Sequence, residues 1–139
     1  MKQGNSMSIK AVLLKELDIP HILAYSIETI IAEKFHAMIT LGNINNRMKD
    51  FFDVYILLKN NKISEKDLRE AVLQTFRQRN TDFVKEHELF TEIFQENTNK
   101  KIIWKTFLRK MKINDDLDFP QVVRSITERL CPIYNTLNE

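Results

Sequence analysis

Two glycines and three prolines in 139 residues constrain this chain more than any other feature. Sandwiches and barrels turn at every strand end, and their tight turns draw heavily on both residue types. So few of them argue against an all-β fold and for helices joined by short connections. They also exclude a glycine-rich phosphate loop. With 43% hydrophobic and 29% charged residues, the chain is globular rather than disordered. Its length fits one domain, on a norm of roughly 100–200 residues.

Charge excludes further classes. The 21 basic and 19 acidic residues leave a net +2. That balance makes no global electrostatic case for a nucleic-acid binder. With one cysteine, Cys131, no internal disulfide can form, and a reducing compartment fits. No apolar run approaches the roughly 18 residues of a membrane span. Met1 to Lys10 lack the apolar stretch of a secretion signal. The expectation is a soluble, cytoplasmic protein with no membrane partner.

Periodicity divides the chain in two. Residues 1–10 read as a tail. Residues 11–25 read as a short extended segment, because Pro20 breaks any helix there. Residues 26–139 read as a helical domain. Ser26 is a plausible N-cap, and Ile27, Ile30, Ile31, Phe35 and Met38 recur at helical spacing up to Gly42, a natural stop. After a short loop, residues 46–60 predict a second helix, apolar on most sides and therefore buried. Ser64-Glu65-Lys66-Asp67 has the form of a capping box and opens a third helix, whose inward stripe runs Leu68, Ala71, Val72, Thr75, Phe76, Arg79. A fourth is expected over 84–95. A fifth is expected over 98–111, with Ile102, Ile103, Trp104, Phe107, Leu108 and Met111 as its apolar residues. Asp118 should cap a last helix with Pro120 near its first position, and Pro132 should kink or end it. The fold class is mainly α, with five to six helices and a short extended N-terminal segment.

The first two helices carry charge where a core would not want it. At roughly 100° per residue, Lys34 falls at the centre of the apolar stripe of the first helix, with Glu33 at its edge. An unpaired buried ammonium costs several kcal/mol. Lys34 must therefore meet a carboxylate, reach solvent or hold an anionic ligand. The second helix opens Arg47-Met48-Lys49-Asp50-Phe51-Phe52-Asp53, which puts Asp50 and Asp53 on one face. Folding the hairpin about its loop brings position 34 level with 53, and within about half a turn of 50. One pocket would then hold Lys34, Asp50, Asp53 and Arg47. Two readings fit these residue types. One is a structural ion pair between helices; the other is a site for triphosphate, metal or general-base work.

The order of the residues adds to this. Arg47-x-Lys49-Asp50-x-x-Asp53 resembles the fourth motif of the AbiEii/AbiGii-type nucleotidyltransferase-like toxins. These are the toxin half of abortive-infection toxin–antitoxin systems. A chance match to that run in this length has odds on the order of 1 in 500. Upstream, Tyr25-Ser26-x-Glu28-x-Ile30-Ile31-Ala32-Glu33-Lys34-Phe35-x-Ala37 resembles the family's third motif. Phe76-Arg77-x-Arg79-x-Thr81, Trp104-x-x-Phe107-Leu108, Asp118-Phe119-x-x-Val122-Val123 and Pro132 resemble its C-terminal region. The resemblance runs over roughly 11–135.

The resemblance implies nucleotidyl transfer from a nucleoside triphosphate, in some members to transfer RNA. Lys34 would contact nucleotide phosphate. Asp50 would be the essential acid of the fourth motif, as base or ligand, and Glu33, Arg47, Lys49 and Asp53 would frame the pocket. The family also implies an N-terminal Asp-x-Asp pair after a Gly-Gly or Gly-Ser turn, which holds the divalent ions. No such element stands in this sequence. Asp116-Leu117-Asp118 lies just before a helix and reads as a polar loop with an N-cap. The expectation is therefore a C-terminal half without its catalytic half. It would have no metal site or cofactor of its own and would be inactive alone. Mg²⁺ and nucleoside triphosphate would join once a separately encoded N-terminal half completes it, and transfer RNA would be a partner only then. A cognate antitoxin is the other implied partner. The alternative is a non-catalytic module of the same descent that binds a partner or forms a homodimer.

The remaining signals are weak. His21, His36 and His87 lack metal-ligand spacing and read as surface or ordinary packing, and Cys131 reads as a quiet thiol. Lys100, Lys101, Lys105, Arg109, Lys110 and Lys112 gather on and around the fifth helix. They form a solvated face or a surface for transfer RNA.

Overall fold

The computed structural model describes residues 26–138. The expected extended segment over 11–25, with His21, lies outside the described residues. Among the described residues there are six α-helices and no strand. They are α1 Ile27–Leu41, α2 Met48–Asn60, α3 Glu65–Gln78, α4 Glu92–Gln95, α5 Thr98–Lys110 and α6 Phe119–Thr136. Short 3₁₀ turns cover Gly42–Ile44 and Glu88–Phe90. The mainly-α architecture is the one the glycine and proline count requires.

Helix starts follow side-chain chemistry. Ser26, Ser64, Asn97 and Asp118 each accept the N–H three residues on, at 3.1, 3.3, 2.9 and 2.8 Å. Each oxygen satisfies one of the orphan donors of a first turn. α1 stops at Gly42, whose φ of 54° suits glycine and whose N–H reaches Met38 O. A Cβ at this position would also run into the Glu88 carboxylate.

α1 packs along α3 and beside α2, while α2 lies against α6. Two aromatic groups fill the space between. Tyr134 of α6 meets Phe35, Phe76, Phe83 and Phe90, and its hydroxyl accepts the Val84 N–H at 2.7 Å. Trp104 and Phe119 meet each other, and Phe119 meets Phe51 and Phe94. Trp104 is 1% exposed and donates its indole N–H to Leu117 O at 3.0 Å.

Three expectations need correction, and one pair of alternatives is narrowed. The helix expected over 84–95 is a 3₁₀ turn followed by the single turn α4. Glu86 adopts φ 54°, and His87 and Thr91 each cap a new start, so no continuous helix forms. Arg79 leaves the inward stripe of α3: it is the C-cap residue, followed by Asn80 at φ 51°, and its side chain is exposed. Ile102 and Met111 face solvent, and the buried hydrophobic residues of α5 are Trp104 and Leu108. α6 does not end at Pro132 but runs on to Thr136. Ile133 and Tyr134, both buried beyond the proline, tie that last stretch into the core.

Candidate functional site

α1 places Ile30, Ile31, Phe35 and Met38 in the core, and Lys34 stands among them with 4% exposure. A buried ammonium needs partners, and α2 supplies two. Lys34 Nζ lies 2.9 Å from Asp50 Oδ1 and 3.3 Å from Asp53 Oδ2. Both carboxylates are buried. Their spacing of three residues turns them to the same side of α2. Asp50 also sits in the first turn of α2, where the positive end of the helix dipole favours an anion.

Two further cations close the cluster from outside. Arg47 Nε stands 3.1 Å from Asp50 Oδ2, and Lys49 Nζ stands 3.2 Å from both Asp53 oxygens. The Arg47 side chain is 60% exposed and that of Lys49 33% exposed. The cluster therefore has a dry floor, Lys34 with two carboxylates, and a wet rim of two cations. The rim thus brings one guanidinium and one ammonium to the solvent edge of the two carboxylates. Asp50 Oδ2 is buried and accepts no hydrogen bond, for the Arg47 contact is one of charge alone. Burial pushes the Asp53 carboxyl up from its ordinary value, and the pull of Lys34 and Lys49 in the other direction does not cancel it.

Lys34, Arg47, Lys49, Asp50 and Asp53 thus come together. Glu33 does not join them. One step round α1, it takes the Arg79 guanidinium that follows α3. Beside that pair His36 hydrogen-bonds Thr81. Burial and the Arg79 charge hold its imidazole below the ordinary value, with Glu33 opposing.

The donor set does not suit a divalent ion. All four carboxylate oxygens already face ammonium or guanidinium groups. A Mg²⁺ ion asks for near-octahedral oxygen ligands. Among the described residues no group of three or more His, Cys, Asp or Glu could hold a metal. Asp116 and Asp118 flank a loop, and Asp118 is occupied as the cap of α6. Arginine and lysine are residue types that bind anions, and the rim carries one of each.

Other clefts lie away from the cluster. One of about 810 Å³ is lined by Phe83, His87, Phe90, Cys131 and Asn135, among others. His87 there is ordinary packing, with its ring nitrogens bound to Ile39 O and the Leu89 N–H. Burial pushes the Cys131 thiol up from its ordinary value, with the Asn135 hydrogen bond opposing.

The basic cluster around α5 divides. Lys105, Arg109, Lys110 and Lys112 are exposed, and Lys101 pairs with Glu96. Lys100 is 3% exposed and turns inward to the loop between α1 and α2. The solvated-face reading of Lys100 is therefore wrong. A signal for this stood in the sequence: Lys100, Trp104 and Leu108 share one helical stripe.

Fold and site together define a helical domain built round a buried lysine–carboxylate cluster with a cationic rim. The family model described as Nucleotidyl transferase AbiEii toxin, Type IV TA system, matches residues 7–125, from ahead of the described residues into α6. The chain belongs to this family of nucleotidyl transferase toxins. No curated protein and no solved structure gives a significant match. Among the described residues, no helix is long and apolar enough to cross a membrane.

Proposed function

We propose that the cluster on α1 and α2 receives the phosphates of a nucleoside triphosphate, as the helical part of a nucleotidyltransferase toxin. The observation that carries this reading is the placing of two cations, Arg47 and Lys49, at the rim of a buried lysine–dicarboxylate anchor. In this reading Arg47 and Lys49 meet the phosphates first. Lys34 fixes both aspartates beneath them and stands ready for a phosphate that enters past Arg47. Asp50 keeps one oxygen without a hydrogen bond, a place to accept the proton of an attacking hydroxyl. The divalent-ion carboxylates would come from a further segment or chain, since every carboxylate oxygen of this cluster already faces a cation. The chain alone would then bind nucleotide without transferring it. Transfer RNA would enter as a substrate of the completed enzyme, and a cognate antitoxin would be its second partner.

Titration of the chain with ATP tests this. Arg47→Ala and Lys49→Ala each remove one charge at the rim and should leave the fold intact. Each should weaken ATP binding by about tenfold, as loss of a hydrogen bond to a charged group implies. Wild-type protein that does not bind ATP would overturn the reading. A second reading, association through apolar surface, draws on the exposed isoleucines Ile44 and Ile93. Sedimentation giving a monomer at high concentration would remove the homodimer.

A further inference from the structure

α2 carries both aspartates of the cluster, yet it starts without a side-chain cap: Arg47 makes no capping hydrogen bond. Something else must fix where this helix begins. The preceding loop supplies part of the answer. The Asn45 side-chain oxygen accepts the Arg47 N–H at 2.8 Å, and the Arg47 carbonyl accepts the Asp50 N–H at 3.0 Å. The loop is in turn held from another helix. Lys100 Nζ donates to Asn43 O at 2.7 Å, Asn45 O at 2.8 Å and Asn46 Oδ1 at 3.1 Å. An ammonium has three protons, and here each has an acceptor. The Phe94 ring lies 5.2 Å from the same nitrogen. Glu88 adds a second hold by accepting the Asn43 N–H.

We propose that Lys100 is a positioning residue for the nucleotide site. It clamps the loop so that Arg47 and Asp50 stand in register over Lys34. A continuous path of hydrogen bonds runs from its ammonium through Asn45 and Arg47 to Asp50. Lys100 itself touches none of the five cluster residues by any of these bonds, so its effect on the site passes through the backbone. Its place in the charge economy is separate too, for its three bonded acceptors are all neutral. The inference rests on the nucleotide reading only for its binding arm; the loop arm stands without it.

The test compares the full chain with Lys100→Met, which keeps the length and apolar stem of the side chain. Amide hydrogen exchange is followed at Asn45, Arg47 and Asp50, with the amides of α6 as internal reference, and ATP binding is measured alongside. Exchange at the three loop-side amides should rise by at least about tenfold relative to α6, and ATP affinity should fall by a similar factor. A second variant supplies rescue. Lys100→Cys in a Cys131→Ser background, alkylated while unfolded with bromoethylamine and refolded, regains an ammonium at nearly the same reach. It should restore both readouts. An equal rise of exchange in every helix would mean a general loss of stability and would overturn the proposal. So would unchanged exchange at the loop, or loosening of the loop with ATP affinity intact. If the wild type itself does not bind ATP, the function proposed above fails, and the exchange comparison with its rescue still decides whether Lys100 sets the loop.

Discussion

Two lysines of this chain are buried almost equally, Lys34 at 4% and Lys100 at 3%, and they are satisfied in opposite ways. Lys34 meets two carboxylates that are themselves buried. Lys100 meets backbone and amide oxygens and the face of a phenyl ring. Its amine is pulled below the ordinary value by burial, with the Glu88 charge opposing. The difference teaches what each is suited to do. A lysine that only holds a loop needs geometry, which neutral acceptors provide. A lysine between two carboxylates with further cations above them builds a local field, which a loop clamp does not need. The second arrangement costs desolvation of several charged groups, and its rim is turned to solvent.

The largest test of this contrast removes each ammonium in turn. Lys34→Met leaves two carboxylates buried without their shared cation, which should cost about 3–5 kcal/mol of stability. Lys100→Met leaves neutral oxygens that the loop can turn toward water, so its cost should fall nearer the roughly 1–3 kcal/mol of a buried unsatisfied group. Urea unfolding of both variants measures the gap, and equal losses would erase the distinction drawn between them.

A smaller effect should appear with pH. The Asp53 carboxyl is held above its ordinary value, so the folded state favours its protonated form. The stability it contributes is therefore fully present below its unfolded value and is lost as pH rises through the raised folded value. Asp53→Asn removes that dependence. Measured against wild type, the variant should gain stability as pH rises from the ordinary carboxylate range toward neutrality. A difference that is flat with pH, or of opposite sign, would show that Lys34 and Lys49 outweigh burial.

The smallest effect belongs to the pair outside the cluster. Arg79→Ala breaks a contact with Glu33 in which the arginine is half exposed. Solvent screening keeps such pairs to about 0–1 kcal/mol, so unfolding and ATP binding should both stay near wild type. A large loss of ATP affinity would instead restore Glu33 to the site.

Much of the site was legible because it obeys local rules. Helical spacing alone places Lys34 on a buried stripe and Asp50 with Asp53 on one face, and a short loop folds one face onto the other. Spacing puts Glu33 at the edge of the Lys34 stripe, where it stands, but cannot supply its partner. Its partner, Arg79, lies beyond the end of α3, and only the packing of α1 along α3 brings the two together. The fourth helix is where local rules failed. Apolar residues at 89, 90 and 94 suggest a helix, but the left-handed Glu86 and the caps from His87 and Thr91 break the segment into turns. Of the two outcomes Pro132 allowed, an end is excluded: the helix runs on past it to Ile133 and Tyr134, which are buried. Lys100 was hidden by company, since it heads a run of basic residues of which Lys105, Arg109, Lys110 and Lys112 are exposed.

The chain has one tryptophan, Trp104. It sits one helical turn after Lys100, is shielded from water, and bonds through its indole N–H to the connection before α6. Its fluorescence should therefore be blue-shifted in the native protein and move to the red on unfolding. Every substitution named above can be followed by that emission without a dye or label. A red shift that arrives before the helical circular dichroism is lost would show the α5–α6 corner opening first.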